Sequence, residues 1–170
     1  SIDKISKPHK PIPSGKITVG SAKKVAYGFA LLSAVLMASA IPFIADPLPH
    51  VGIWTIAALL MYTYDSGPKT KDMGLIGNIA ISLMVGAVIV FGAASVSKAN
   101  TEIVLFASVV AFFANLAREI IKDCEDMESD EGRNTLPMRI GLMNARAVAY
   151  VFVLLLSLIH ISEPTRRVLI

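Results

Sequence analysis

Long stretches of this chain contain no charged residue, and they limit the possible fold more than any other feature. Lys, Arg, Asp and Glu are absent from residues 25–45, 73–97, 103–117 and 147–162. A helix rises about 1.5 Å per residue and the hydrocarbon core of a bilayer is about 30 Å thick, so about 20 apolar residues can span it. The runs are continuous rather than alternating in polarity, which is typical of helices and not of barrel strands. We therefore predict an all-α, polytopic transmembrane helical bundle.

The overall composition also indicates a lipid environment. Hydrophobic residues make up 54% of the 170 residues and charged residues only 17%, whereas soluble domains carry about 25% charged residues. We predict five spans, the second of which is short: residues 21–42, 48–64, 74–97, 101–122 and 142–160. Nucleic acid is not an expected partner of so apolar a chain. The single cysteine, Cys124, excludes an intramolecular disulfide.

The distribution of basic residues predicts which side of the membrane the loops face. A chain that crosses once per span returns to the same side after every second span, so residues 1–24, 65–73 and 118–146 should share one side. These segments hold 13 of the 16 Lys and Arg residues. Because basic loops stay inside, we expect an integral protein of the cell membrane with this side in the cytoplasm.

A cluster of carboxylates follows the fourth predicted span. Residues 121–137 read IKDCEDMESDEGRNTLP and place six carboxylates within nine residues. Asp123, Asp126 and Asp130 are spaced i, i+3 and i+7, so a helix that continued from residue 101 through them would carry all three on one face. Oxygen ligands of this kind suit Mg²⁺ or Ca²⁺. Spacing alone leaves two interpretations open, a cation site that binds phosphate or an acidic, hydrated helix end.

Nearby basic residues favour the phosphate-binding interpretation. Lys10 and Lys71 are expected on the same side as the aspartates, and Arg118 and Lys122 lie in the same helix end. Asn78 could either contact a substrate or hydrogen-bond between helices. A cation transporter is an alternative from another class. Transport sites lie near the bilayer midplane, whereas these carboxylates follow the end of a span beside basic residues that would repel a free cation.

Two segments resemble signatures of the UbiA family of membrane prenyltransferases. SIDKISKPHKPIPSGKIT is similar to the end of the first signature, N-D-x-x-D-x-x-x-D followed by R-P-I-P-S-G. REIIKDCEDMESDEGRNTLPMRIG is similar to the second, D-x-x-D-x-x-x-D followed by T-L-P, and GLIGN after Lys71 resembles a further family segment. REIIKD together with PIPSG is most similar to the archaeal-type digeranylgeranylglyceryl phosphate synthases.

The resemblance implies a fold of nine transmembrane helices, of which the five predicted spans resemble the third to the seventh. The chain begins after the Asn and the first two Asp of the first signature, so it resembles an internal fragment, which we expect to be inactive alone. We expect the prenyltransferase domain to cover residues 1–160. The tail, residues 161–170, has no counterpart in the family pattern.

The resemblance also implies a reaction, a cofactor and a set of site residues. The family transfers a prenyl group from an isoprenyl diphosphate to a lipid acceptor with Mg²⁺. The narrower resemblance implies geranylgeranyl transfer to geranylgeranylglyceryl phosphate in ether-lipid synthesis, and prenylation of an aromatic or quinone precursor is the alternative. The implied metal ligands are Asp3, Asp123, Asp126 and Asp130, of which the last three are the catalytic aspartates. The implied substrate-binding residues are Lys10, Lys71, Asn78, Arg118 and Lys122.

Overall fold

The computed structural model of the chain describes residues 8–44, 46–95, 101–127 and 134–162, and this part contains six α-helices and no strand. The helices are α1 (Val19–Ala40), α2 (Pro47–Asp65), α3 (Leu75–Ala94), α4 (Thr101–Glu125), α5 (Leu136–Ile140) and α6 (Leu142–Ser162). The predicted all-α helical bundle is therefore confirmed. The chain divides into two compact units, residues 1–51 and 52–170, with the boundary inside α2.

Helices form at all five predicted spans. Three of them, within the described residues, are long and apolar enough to cross a membrane: Val19–Phe43, Leu75–Ala94 and Thr101–Glu125. The last predicted span contributes a shorter apolar helical stretch, Leu142–Ser157, and α2 is not among the three. Both occupy positions of predicted spans, residues 48–64 and 142–160.

The first unit is built around α1. Thr18 begins this helix, because its Oγ1 accepts a hydrogen bond from the Ser21 backbone N–H at 3.1 Å. Before it, the proline-rich residues fold into turns in which the Ser14 N–H donates to the Lys10 carbonyl at 2.9 Å. Large apolar side chains such as Phe29 and Leu31 are exposed on α1, as expected of a helix that faces lipid.

In the second unit, α3 and α4 lie antiparallel and approach each other closely. The Ser108 hydroxyl donates to the Gly86 carbonyl at 2.9 Å, and the Asn115 amide donates to the Ser82 hydroxyl at 3.2 Å. A Cβ atom on Gly86 would lie 3.0 Å from the Ser108 carbonyl oxygen. Small residues and polar contacts of this kind are what join helices inside a membrane.

An apolar core joins α4 to α5 and α6. Its buried members are Leu116, Ile120, Cys124, Leu136, Ala145 and Ala149. The two alanines lie one turn apart on α6, and this lets its backbone approach α4. Phe113 stacks on Phe152 with ring centroids 5.6 Å apart. The core therefore fixes the last turns of α4, which carry Asp123.

Candidate functional site

Two glycines let two loops lie against the beginning of α3. Gly77 faces the 3-10 turn Thr70–Asp72, since a Cβ atom on it would lie 2.5 Å from the Thr70 carbonyl oxygen and 2.9 Å from the Lys71 Cα. Gly74 has φ +64°, and a Cβ atom there would lie 2.9 Å from the Asn134 carbonyl oxygen. The GLIGN segment therefore brings the loop with Lys71 and the segment after the acidic cluster to one helix end.

Asn78, the residue after Gly77, reaches across to α4. Its Nδ2 donates a hydrogen bond to Asp123 Oδ2 at 2.9 Å, and the residue is only 5% exposed. The interhelical role, one of the two considered for Asn78, is thus present, and contact with a substrate stays a prediction. A hydrogen bond from a fixed amide to a carboxylate is charge-assisted and orients the carboxylate.

The helix that carries Asp123 ends soon after it. Regular helix ends at Glu125, although the Asp126 N–H still donates to the Lys122 carbonyl at 2.9 Å. The condition for placing the three aspartates on one face, a regular helix that continues through them, is therefore not met at Asp126, and Asp130 lies outside the described residues. Carboxylates at the C-terminal end of a helix oppose its macrodipole, which gives a physical reason for the early end.

Two of the four predicted metal ligands can be placed. Asp123 lies in the last turn of α4 and Asp126 directly follows its last residue, while Asp3 and Asp130 fall outside the described part of the chain. Within that part, no group of three or more His, Cys, Asp or Glu residues could hold a metal ion. Mg²⁺ usually takes one or two protein carboxylates and completes its shell with water and phosphate oxygens. The donor chemistry of the Asp123 and Asp126 pair therefore fits Mg²⁺, whose binding stays a prediction.

A buried carboxylate, Glu119, lies between two of the predicted substrate-binding cations. Arg118 Nη1 lies 2.8 Å from Glu119 Oε1, and Lys122 Nζ lies 3.5 Å from Oε2. The sequence pattern did not single out Glu119. The spacing of Glu119 could have indicated it. Glu119 lies four residues after Asn115 and four before Asp123, so these three polar residues share one face of α4.

The two predicted lysines occupy different units. Lys71 is partly buried in the Thr70–Asp72 turn of the second unit, where its backbone lies against Gly77. Lys10 is exposed in the proline-rich turns of the first unit. The structure therefore brings Asn78 and Asp123 into contact. It places Arg118, Lys122 and Asp126 at the same helix end and sets the backbone of Lys71 beside Gly77.

The TLP segment after the acidic cluster is buried. Thr135 is 1% exposed, and its hydroxyl is the one buried side-chain polar atom without a hydrogen bond among the residues described. Pro137 lies in the first turn of α5, where a missing N–H costs no helical bond. Arg139 Nε donates to Asn134 Oδ1 at 2.9 Å. These contacts fix the segment that lies against Gly74.

Comparison with known protein families shows which family the chain belongs to. The family model described as the UbiA prenyltransferase family matches residues 1–165. The chain belongs to the UbiA prenyltransferase family. The resemblance drawn from the two signatures is confirmed, and together with the three long apolar helices it identifies an integral membrane protein.

Several archaeal proteins are similar to this chain. The digeranylgeranylglyceryl phosphate synthase of Methanococcus aeolicus is 38% identical over 155 residues, which cover 90% of this chain and 51% of the relative. The synthase of Methanopyrus kandleri is 37% identical over 161 residues, covering 93% and 55%. The chain thus spans about half the length of the curated relatives it matches. No solved structure matches it significantly.

Proposed function

We propose that this chain forms the diphosphate-binding part of a prenyltransferase that moves a geranylgeranyl group from geranylgeranyl diphosphate to geranylgeranylglyceryl phosphate. Membership of the UbiA prenyltransferase family supports prenyl transfer, and relatives named digeranylgeranylglyceryl phosphate synthase support the choice of substrates and a role in ether-lipid synthesis. The observation that carries the proposal is the 2.9 Å contact between Asn78 and Asp123 at a helix end flanked by Arg118 and Lys122.

The reaction needs a site that stabilises a leaving diphosphate. The donor C–O bond breaks, the diphosphate leaves with the bonding electrons, and the acceptor hydroxyl oxygen forms the new C–O bond and loses its proton. Bound Mg²⁺ would supply positive charge to the diphosphate oxygens. Asp123 and Asp126 are the described residues that would hold it, with Asp130 and Asp3 as further ligands. Asn78 would keep Asp123 in a fixed orientation.

Basic side chains would bind the diphosphate oxygens that the metal does not. The Arg118 guanidinium offers a planar fork of donors, whereas the ammonium groups of Lys122, Lys71 and Lys10 act as point charges. These charges stabilise the negative charge that develops as the C–O bond breaks. Apolar helices beside them would enclose the prenyl tails and exclude water from the reacting carbon.

The proposed orientation places the site on the cytoplasmic side of the cell membrane. Its support is the charge asymmetry, since 13 of 16 basic residues belong to the segments predicted on that side. The polar phosphates would then enter from water, while the tails lie in the bilayer.

A transfer assay tests the proposal. We would replace the matching segment of the Methanopyrus kandleri synthase with residues 1–157 and supply labelled geranylgeranyl diphosphate, geranylgeranylglyceryl phosphate and Mg²⁺. Asp126→Asn should lower transfer by about a hundredfold or more, as expected when charge stabilisation of a leaving group is lost. Glu125→Gln, which neutralises the adjacent exposed carboxylate, is the control.

Two results would count against the proposal. Undiminished transfer by a folded Asp126→Asn hybrid would remove the metal role of that residue. Transfer to an aromatic or quinone precursor, with none to geranylgeranylglyceryl phosphate, would replace the proposed acceptor with the alternative within the family.

A further inference from the structure

We propose that Glu119 is a positioning residue that holds Arg118 and Lys122 in place to bind the donor diphosphate. The proposal rests on the function proposed above, because that function places both cations at the diphosphate. It adds a carboxylate that touches neither substrate nor metal and acts through the two basic side chains.

The three side chains differ sharply in exposure. The Glu119 side chain is 6% exposed, whereas those of Arg118 and Lys122 are 69% and 54% exposed. Each carboxylate oxygen faces a different cation, with Arg118 Nη1 at 2.8 Å from Oε1 and Lys122 Nζ at 3.5 Å from Oε2. A buried anion thus anchors two cations whose outer parts reach solvent.

The arrangement suits anion binding for two physical reasons. Arg and Lys have long side chains that lose rotamer freedom when they bind a ligand, and anchoring them beforehand lowers that cost. Arginine carries five N–H donors and lysine three, so one contact each with Glu119 leaves donors for an incoming anion. Two cations also outnumber the one carboxylate, so the group keeps a net positive charge.

The position of Glu119 links these cations to the predicted metal ligands. Glu119 lies one helical turn before Asp123 on α4. Lys122 directly precedes Asp123 in the chain, so the cations held by Glu119 lie at the same end of α4 as the carboxylate that Asn78 orients. A diphosphate held by Arg118 and Lys122 would therefore lie at the helix end that carries a proposed metal ligand.

Positioning and simple electrostatics predict opposite results for one substitution. If Glu119 acted only through its negative charge, neutralising it would strengthen anion binding. If it positions Arg118 and Lys122, Glu119→Gln should weaken anion binding, because a neutral amide holds the two cations less firmly.

The test measures the affinity of the full chain, in detergent micelles, for inorganic pyrophosphate in the presence of EDTA. Chelation removes divalent metal, so the measurement reports on the basic side chains. We expect Glu119→Gln to weaken binding about tenfold, the effect of losing two preorganised side chains. The control is Glu125→Gln, an exposed carboxylate six residues further along α4, which should leave the affinity equal or slightly higher.

A second comparison separates positioning from a general structural role. In a chain that already carries Arg118→Gln and Lys122→Gln, adding Glu119→Gln should cause no further loss of pyrophosphate affinity. Glu119→Asp keeps the negative charge but has a shorter side chain, so it should weaken pyrophosphate binding less than Glu119→Gln does. This variant keeps the test available if Glu119→Gln does not fold.

Unchanged or tighter pyrophosphate binding by Glu119→Gln would overturn the inference. An equal loss of pyrophosphate affinity when Glu119→Gln is added to the chain that lacks both cations would also overturn it. If only Glu119→Asp folds, an unaltered affinity of that variant would do the same. A wild-type chain without affinity for pyrophosphate would overturn it as well. The proposed prenyl transfer is tested separately, by Mg²⁺-dependent transfer and Asp126→Asn, so the two failures can be told apart.

Discussion

Asn78 is a neutral hydrogen-bond donor to the Asp123 carboxylate. Its neutrality matters because Asp123 is also a proposed metal ligand. A lysine at this position would orient Asp123 but would also compete with a divalent cation for it. An amide at 2.9 Å orients Asp123 without cancelling its charge. The same helix end carries charged residues, Arg118 and Lys122, which under the proposed function would bind an anion.

Replacing Asn78 should therefore weaken the site without removing a ligand. We expect Asn78→Ala to reduce Mg²⁺-dependent binding of geranylgeranyl diphosphate about tenfold, since a hydrogen bond to a charged group contributes about 1.5–3 kcal/mol. Asn78→Asp should reduce it further, because two carboxylates would then face each other. The readout is the dissociation constant in the presence of Mg²⁺.

Asn144 provides the matched control for this experiment. Its amide donates to the Ile140 carbonyl at 2.7 Å on an exposed part of α6, so Asn144→Ala should leave donor binding unchanged. Equal affinity of Asn78→Ala and the wild-type chain would exclude the orienting role.

At the residue scale, the sequence identifies candidate residues but not their contacts. The i, i+3 spacing of Asp123 and Asp126 is visible in the sequence, whereas the end of regular helix at Glu125, between them, is not. The burial of Glu119 could not be predicted in the same way, because a helical period identifies a polar face but does not say which neighbouring residues cover it. The pairing of Asn78 with Asp123 depends on the antiparallel packing of α3 and α4, which a single sequence does not reveal.

Gly77 is a point of close approach between a loop and a helix in the second unit. Its missing side chain leaves room for the Thr70–Asp72 turn, which carries Lys71. Length and hydropathy predicted the long helices to within a few residues, because each needs a continuous apolar run. The five-residue helix α5 was not predicted, since so short a helix shows no usable periodicity.

Adding one methyl group at Gly77 should therefore destabilise the second unit. Gly77→Ala would place a Cβ atom 2.5 Å from the Thr70 carbonyl oxygen, and overpacking of this kind typically costs about 1–3 kcal/mol. The measurement is the free energy of unfolding in detergent. Gly92 lies in the same helix with nothing within 4 Å of such an atom. Gly92→Ala should be neutral or stabilising by up to about 1 kcal/mol, and equal effects of the two substitutions would contradict the close contact.

The polar contact between α3 and α4 should be measurable as a coupling energy. Asn115 donates to Ser82, whose own hydroxyl donates to the Asn78 carbonyl at 2.6 Å. A double-mutant cycle of Ser82→Ala and Asn115→Ala should give a coupling of about 0.6 kcal/mol, typical of hydrogen bonds between membrane helices. Asn144→Ala removes an exposed amide that bonds to the Ile140 carbonyl within the same unit, so its combination with Asn115→Ala should be additive. Strict additivity of the first pair would exclude the contact.

Across the second unit, antiparallel packing gathers the polar groups at one end. Asn78 lies near the start of α3, Asp123 near the end of α4 and Asn144 near the start of α6. Ser95, directly after α3, lies at the opposite end. The chain-wide bias of basic residues predicts that the first of these ends faces the cytoplasm.

Thiol labelling can test this orientation. In a Cys124→Ser background, which removes the only native thiol, single cysteines are introduced as Asn144→Cys and Ser95→Cys. In sealed right-side-out vesicles, a membrane-impermeant maleimide should label Ser95→Cys directly and Asn144→Cys only after permeabilisation. The reverse pattern would place the acidic cluster outside, and labelling of both from one side would contradict the crossings by α3 and α4.

The most direct test of a magnesium and diphosphate site is the affinity of the chain for geranylgeranyl diphosphate, measured with Mg²⁺ and again with EDTA. The wild-type chain should bind more tightly with Mg²⁺. Asp123→Asn and Asp126→Asn should lose that gain while keeping the affinity measured in EDTA, because the basic side chains remain. If both folded variants keep the full gain from Mg²⁺, these aspartates do not hold the metal.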